Sequence, residues 1–477
     1  MSEMVTPESI NNKVLQTFEH LAIDKRRLPS SQLTKRNIPA YVAEWLLDNL
    51  VPGDGPISPE KLEAIQTWAD QFIPIPGETN IIKNRLLNGE VVKVLTPVEV
   101  EIRLTRNVRE RVAQLKLLGL ADVHIPDTFV EAYPDLLKQG MWGVAELIDT
   151  QEGVAISSFK PMQASVNLEI FKEKRSKFTL EEWRALLLTS MGYNPWKFDE
   201  PEKTFLLCRL LPLVEKSLHL LELAPKGTGK SYFYENINPR VRLISGGNVS
   251  PAVLFVNNAS GYWGLLARFS VVVLDEVQTL KFERPQEIIG GLKGFLANGR
   301  LTRGGLYETS SDCSLVMLAN ILLDNEQQPI ISPLVKELPE FMQETAFLDR
   351  LRGILPGWKI RKLSGDSFAQ GVGLKSDFFG DALLALREDL TADQYVAHRI
   401  QLQGKKLYKR NEDAVRMIAS GLMKLQFPHG ELSDDEFERY CIRPAIQLRQ
   451  LVWEQLYTLD AEYRQYDEEI TYKIISS

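Results

Sequence analysis

The stretch Ala224-Pro225-Lys226-Gly227-Thr228-Gly229-Lys230-Ser231 can do chemistry on phosphate. It follows an apolar run, Leu218–Leu223, and precedes Tyr232–Glu235, which can continue as a helix. Strand, glycine-containing loop, Lys-Ser and helix is the context of a phosphate-binding loop. Pro225, Lys226, Gly227, Thr228 and Gly229 would form the cradle. Gly227 and Gly229 permit positive φ, so several N–H groups can turn around a phosphate. The helix opening near Gly229 adds the positive end of its dipole. Lys230 can reach the outer phosphates and the Ser231 hydroxyl can ligate Mg2+. The usual first glycine is Ala224, which is tolerable where the residue ends a strand with negative φ. The plain alternative is a glycine turn before a helix.

Further along, Val271–Glu276 (VVVLDE) reads as a buried parallel strand ending in two carboxylates. Asp275 can hold the Mg2+ shell, and Glu276 can orient and activate an attacking water. Ser314–Ala319 is a second buried strand, ending in Asn320. Asn320 would hydrogen-bond an outer phosphate or the water, or else simply cap the following turn. In Phe347–Gly353 (FLDRLRG), Arg350, with Arg352 second, would reach the nucleotide of a neighbouring subunit. An ion pair with Asp349 or Glu344 is the competing account. Arg416 fits a second, lid-borne arginine sensor. Arg300 and Arg303 sit among glycines in Asn298–Tyr307, which reads as a hairpin with a basic tip. Such a tip would grip a nucleic-acid backbone, or be a solvated loop.

These residues need a scaffold. The chain has 477 residues, which suggests about three units. Its 44% hydrophobic and 25% charged residues suit a globular protein with real cores. The net charge of −7 advertises no global affinity for nucleic acid, so any basic surface is local. Cys208, Cys313 and Cys441 lie far apart and read as reduced, buried thiols. No apolar run approaches membrane-spanning length, and a cytoplasmic location is expected.

In order, residues from about 8 to 50 read as helices, with a basic stretch at Lys25-Arg26-Arg27 and Lys35-Arg36. Val91–Leu95, Val98–Leu104, Val112–Leu118, Val123–Ile125 and Met141–Asp149 read as short strands around a helix near Thr128–Leu137. They would fit a small barrel of the OB type. Residues 150–175 read as a connector. Pro251–Leu266 reads as a hairpin with a polar tip at Asn257–Gly261. Helical patterns over 377–388, 391–402, 411–425 and 434–459 read as a lid.

The order APKGTGKS, VVVLDE, basic hairpin, SLVMLAN, FLDRLRG and helical lid resembles the AAA+ ATPases. More narrowly, the chain is similar to the Lon-like BrxL family of bacterial BREX phage-defence systems. Longer blocks carry that likeness: RNIPAYVAEWLLDNL, ADVHIPD, ISSFKPMQ, KFTLEEWRALLLTSMGYNP, VRLISGGNVSPAVLFVNNASG and LDEVQ. The resemblance implies an α/β fold, an AAA+ P-loop NTPase core similar to that of MCM helicases. A helical lid follows it and a mixed α+β N-terminal domain precedes it. The division would be 1–165, 166–365 and 366–477. It further implies ATP and Mg2+ as cofactors, a homo-hexamer or double hexamer, two pore hairpins, duplex DNA and other BREX proteins as partners, and a role in phage restriction. Lys230, Ser231, Asp275, Glu276 and Asn320 match the family pattern; Arg350, Arg416, Arg300 and Arg303 match it more loosely.

One departure concerns the Lon-like C-terminal region of longer members, whose chemistry would use a Ser-Lys dyad. The tail Ala461–Ser477 has no room for it, so proteolysis is not expected of this chain, as a shorter member or a piece of a longer one. Two other readings remain. One is a protein unfoldase gripping substrate through Tyr262-Trp263. The other is a nucleotide-gated scaffold on DNA, against which the presence of both Asp275 and Glu276 argues.

Overall fold

The computed structural model describes residues 6–475 except 54, 105–108, 259–260, 304–306 and 405. Its first elements form for local reasons. Thr6 and Ser9 close a capping box around the helix Pro7–Phe18, and Ile10, Val14 and Phe18 bury one stripe of it. The helices Ala40–Leu50 and Pro59–Phe72 follow, with the short strand β1 (Ala22–Asp24) ahead of them.

Strands β2 (Val92–Leu104), β3 (Arg109–Leu115), β4 (Leu120–His124), β5 (Met141–Thr150) and β6 (Gly153–Pro161) close into a barrel, in the order β2-β3-β4-β6-β5. Val92, Val94, Val98 and Val100 alternate into its core. The two strands expected at 91–95 and 98–104 are one. β2 runs through Pro97, which faces Trp142 of β5 before the pairing with β3 begins at Glu99. The missing proline N–H therefore costs no ladder bond. Residues 150–175 are not a connector: β6 pairs along β5 to close the barrel, and Leu168–Ser176 is a helix. Gly143 is required at that seam, because a Cβ there would stand 2.6 Å from the Phe159 ring.

The second architecture is a five-stranded sheet built from β7 (Leu220–Ala224), β8 (Val241–Ser245), β10 (Val271–Asp275), β14 (Ser314–Asn320) and β15 (Gly353–Pro356). Its order is β15-β7-β14-β10-β8, and every neighbouring pair is parallel. Successive residues of β10 enter opposite cores: Val271 and Val273 join one apolar cluster, Val272 and Leu274 the other. Burial on both faces explains the unbroken apolar sequence. The two-residue strands β9 (Asn248–Val249) and β11 (Lys281–Phe282) pair beside the sheet.

The hairpin expected over Pro251–Leu266 is not formed. Ser250 caps a short helix, Pro251–Leu254, and Leu265–Arg268 is another; between them the arms are joined by the Val256–Trp263 bridge and by main-chain bonds from the Gly264 N–H to the Phe255 carbonyl and from the Asn257 N–H to the Tyr262 carbonyl. Its proposed tip includes Ala259 and Ser260, which lie outside the described residues. The basic hairpin does form, from β12 (Arg300–Arg303) and β13 (Tyr307–Ser310), although its tip, 304–306, lies outside the described residues.

After β15 the chain is mostly helical: Ser376–Leu386, Thr391–Arg399, Lys409–Gln426 and Arg443–Leu459. Three strands stand among them, one of which begins inside the stretch read as helical over 391–402. β16 (Val372–Leu374) pairs antiparallel with β1, so the first residues pack against this region, and β17 (Ile400–Gln403) pairs with β18 (Thr471–Ile474) of the tail. The three cysteines are buried and free. Among the described residues no helix is long and apolar enough to cross a membrane.

Between core and helices, the buried Lys424 ammonium lies 3.0 Å from Glu215 and 2.8 Å from Asp393. Burial pushes the Glu215 carboxyl up to about 7, and Asp393 adds to the shift while Lys424 opposes it. Folded Glu215 thus keeps its proton to a higher pH than in the unfolded chain. Its contribution to stability is complete at low pH and is lost as pH rises through about 7. Glu215→Gln, which leaves Lys424 paired with Asp393, is expected to flatten the fall in melting temperature between about pH 5 and about pH 8. An unchanged slope in the variant would show that Glu215 does not titrate there.

Candidate nucleotide site

Parallel register decides which residues meet. Ala224, the end of β7, is the register partner of Asn320, the end of β14, and β10 ends beside them in Asp275. The loop therefore leaves the sheet at the same edge as the carboxylates, the edge where open α/β sheets bind ligands. Gly227 has φ 91° and Gly229 φ 73°. The helix Lys230–Asn236 starts immediately after Gly229. Thr228 is buried within the loop, whereas Lys226 and Gly227 form its exposed crest and Ser231 lies half-buried in the first helical turn.

Lys230 is 7% exposed, and its Nζ donates to Asn320 Oδ1 at 2.9 Å. Burial holds its ammonium below the ordinary lysine value, against the opposing pull of Glu222, Asp275 and Glu276. Asp275 is 4% exposed, and its Oδ1 accepts the Glu276 N–H at 2.9 Å. Glu276 itself has φ 47°, a left-handed conformation costing a non-glycine residue on the order of 1 kcal/mol. That twist turns the chain sharply as it leaves β10.

Sequence reasoning missed the supports of this constellation. Gln278 Oε1 accepts the Asn320 N–H at 3.1 Å while its Nε2 donates to the Asn320 carbonyl, clamping that residue's main chain from both sides. The Leu363 N–H donates to the Gly227 carbonyl at 2.8 Å. Beneath the loop, Arg209 and Glu222 form an ion pair with both side chains out of solvent. Arg209 also donates to Tyr193 Oη at 2.8 Å and to the Thr228 carbonyl at 3.1 Å. The one available signal was Glu222, a charge inside the apolar strand LLELA, which required a buried partner.

The arginines fare differently. Arg350 and Arg352 precede β15, whose Gly353 pairs with Leu220 at the start of β7, so they lie at the sheet edge opposite the loop. Neither ion pair set against Arg350 is formed. Asp349 is held by Arg449, Arg410 and the Tyr408 hydroxyl, and Glu344 pairs with Lys293. The half-buried Arg350 guanidinium donates to the Ala346 carbonyl. Arg416 pairs with Glu412 at 2.7 Å and donates to the Ile400 carbonyl at 3.1 Å, and neither contact is with the loop. Arg300 is exposed and pairs across its hairpin with Glu308 at 2.7 Å. Arg303 corrects the sequence reading: it is 8% exposed, bonds Glu287 at 2.6 Å and reaches the Val256 carbonyl. It ties the hairpin to its neighbours and does not point outward toward a ligand.

Two family models match the chain. "Lon-like protease BrxL-like, ATPase domain" covers residues 154–469, and "BREX system Lon protease-like protein BrxL N-terminal" covers residues 16–148. Among curated proteins, the chain is 31% identical over 444 residues to "Lon-like protease BrxL" of Escherichia coli O9:H4 (strain HS), covering 90% of this chain and 63% of that protein. It is 31% identical over 470 residues to the "Lon-like protease BrxL" of Bacillus cereus (strain H3081.97), covering 94% of this chain and 67% of that one. Among solved structures, a full-length MCM homologue from Methanopyrus kandleri aligns with 13% identity and a TM-score of 0.41, covering 94% and 97% of the two chains. With the ATPase-domain model matching more than half of its length, the chain belongs to the BrxL-like family.

Proposed function

We propose that this chain is the ATPase of a BREX anti-phage system, a cytoplasmic AAA+ ring that hydrolyses ATP between subunits to bind, translocate on or remodel duplex DNA. The observation that carries the reading is the Lys230–Asn320 contact beside buried Asp275, two side chains at the ends of β14 and β10 and one from the helix that follows β7, at one sheet edge. The donor set fits ATP with Mg2+. A loop with two positive-φ glycines and a buried lysine suits the phosphates, and Ser231 with Asp275 offers a hydroxyl and a carboxylate to the ion. Bound Mg2+ would neutralise charge developing on the phosphates. Lys230 would bind the outer phosphates, Glu276 would accept a proton from water, and Asn320, fixed by Gln278, would orient that water or the phosphate.

Arg350 completes the site from a neighbouring copy, because in its own chain it stands at the far edge of the sheet. This requires a ring, taken here as a hexamer or double hexamer. The units are 1–165, with an OB-like barrel as a DNA-binding collar; 166–365, the AAA+ core; and 366–477, the lid, from which Arg416 would sense nucleotide. Arg300 remains the hairpin residue open to DNA phosphate. Other BREX proteins are the expected partners.

A second reading gains one observation. Tyr262 and Trp263 lie in the connection between two short helices, although Trp263 bridges Val256 and Arg268 stacks on Tyr262 at 5.2 Å. Stimulation of turnover by an unfolded protein and not by duplex DNA would favour that reading.

Three outcomes test the leading one. Glu276→Gln should still bind ATP but lose turnover by about a hundredfold or more; full turnover would remove Glu276 from the mechanism. Arg350→Ala and Lys230→Ala proteins should each be inactive, yet regain activity when mixed, since hybrid interfaces hold one intact loop and one intact arginine. No recovery would count against a site completed in trans. Arg300→Ala should weaken duplex DNA binding and shallow the plot of log affinity against log salt by about one unit; an unchanged slope would discharge Arg300.

A further inference from the structure

We propose that Arg209 is a positioning residue for the phosphate loop, holding it in its ligand-ready shape before any nucleotide arrives. The proposal rests on the reading of Ala224–Ser231 as a phosphate site.

The argument starts from the peptide group. In a planar trans peptide, the carbonyl of one residue and the N–H of the next point in opposite directions. A bond that fixes one therefore fixes the other. Arg209 Nη1 holds the Thr228 carbonyl at 3.1 Å, which aims the Gly229 N–H away from it. The Leu363 N–H holds the Gly227 carbonyl at 2.8 Å and aims the Thr228 N–H in the same way. Two successive carbonyls are tied outward, and two successive N–H groups are left for the concave side. A glycine loop without such ties would lose that conformational freedom when the phosphate binds, at the expense of affinity.

Arg209 is placed to do more than neutralise Glu222. Its Nη2 reaches Glu222 Oε1 at 2.6 Å, its Nε lies 3.2 Å from both carboxylate oxygens, and Nη1 is shared between Tyr193 Oη and the loop. Its own carbonyl accepts the Tyr234 hydroxyl at 3.2 Å, from the helix after the loop. One residue thus connects the strand before the loop, the loop and the helix after it. Tyr193 packs against the same point: a Cβ on Gly229 would stand 3.3 Å from its hydroxyl. A buried ion pair is by itself weak evidence for stability, so a purely structural role predicts that apolar replacement leaves the loop unaffected.

The test compares wild type, Arg209→Met/Glu222→Leu, Arg209→Lys and Lys230→Ala. The double substitution replaces the pair by apolar volume and should melt close to wild type. Arg209→Lys keeps a charge for Glu222 but lacks the planar fork that serves Tyr193 and Thr228 together. Two readouts are taken. Without nucleotide, tryptic cleavage after the exposed Lys226 reports local opening of the loop, and both variants should be cut about tenfold faster there, with other sites unchanged. With a fluorescent ATP analogue, both should show a Kd raised about tenfold or more. Cleavage and affinity equal to wild type in either folded variant would overturn the proposal; should the double variant not fold, Arg209→Lys decides. If wild type fails to bind the analogue, or Lys230→Ala binds it equally well, the phosphate reading fails. The cleavage result still decides whether Arg209 holds the loop.

Discussion

Strands β7, β14 and β10 lie side by side, parallel and in register, so that their carboxyl ends emerge together. Every functional side chain of the candidate site depends on that pairing. Lys230 and Asn320 are far apart in sequence but share a 2.9 Å bond because Ala224 and Asn320 are register partners. A slip of one residue along β14 would turn each of its side chains to the opposite face and move Asn320 out of reach. The same polarity assigns the arginines. β15 runs parallel to β7, so whatever precedes Gly353 lies at the amino edge. An arginine there lies away from the loop of its own chain.

The register is secured by apolar burial and refined by buried charge. Alternate residues of β10 enter two separate clusters, so a slip would exchange contacts on both faces of the sheet at once. The buried ion pairs are not the main source of stability, because desolvation offsets much of their attraction. Their effect is to join particular segments. Lys25–Glu44 lies within the first residues, and Glu44 also accepts the Ser376 N–H at 2.9 Å. Arg449 holds Asp349 at 3.0 Å with both side chains fully buried. That last pair bears on Arg350: with Asp349 occupied, the Arg350 guanidinium donates to a main-chain carbonyl, that of Ala346.

The parts legible in the sequence are those whose signal lies in contiguous residues. A glycine loop after an apolar strand, and apolar runs ending in Asp-Glu or Asn, each state their geometry locally, and β7, β10 and β14 end where those patterns end. Short apolar runs are ambiguous between strand and buried helix, and that ambiguity turned Pro251–Leu254 into a hairpin arm. Ser250 followed by Pro251 was a helix-start signal that outweighed the apolar run. β6 was hidden because its alternation is weak, and only closure on β5 gives it a place. Arg303 looked like Arg300 in sequence; the difference lies in Glu287 and Val256, which no local pattern brings near. The supports Gln278, Arg209 and Tyr193 likewise act through distant partners, so their residue types alone carried no assignment.

The elements that shape the loop also bear the N-terminal part of the chain. The helix that begins at Lys230 ends at Asn236, whose side chain accepts the Ala40 N–H at 2.7 Å. Just beyond, Arg240 bonds Asp135 beside the barrel at 2.8 Å, and Arg268 bonds Glu99 of β2 at the same distance. Arg268 also carries Tyr262, so one guanidinium touches both the barrel and the loop between the two short helices. A displacement of the Lys230–Asn236 helix would therefore strain Ala40 directly. A displacement of the 256–263 segment would reach β2 through Arg268. These contacts are partly exposed and polar, able to break and re-form without unfolding a core, whereas the sheet that carries the loop Ala224–Ser231 is apolar on both faces. The apolar sheet thus carries the candidate loop, while polar, partly exposed contacts join its surroundings to the barrel.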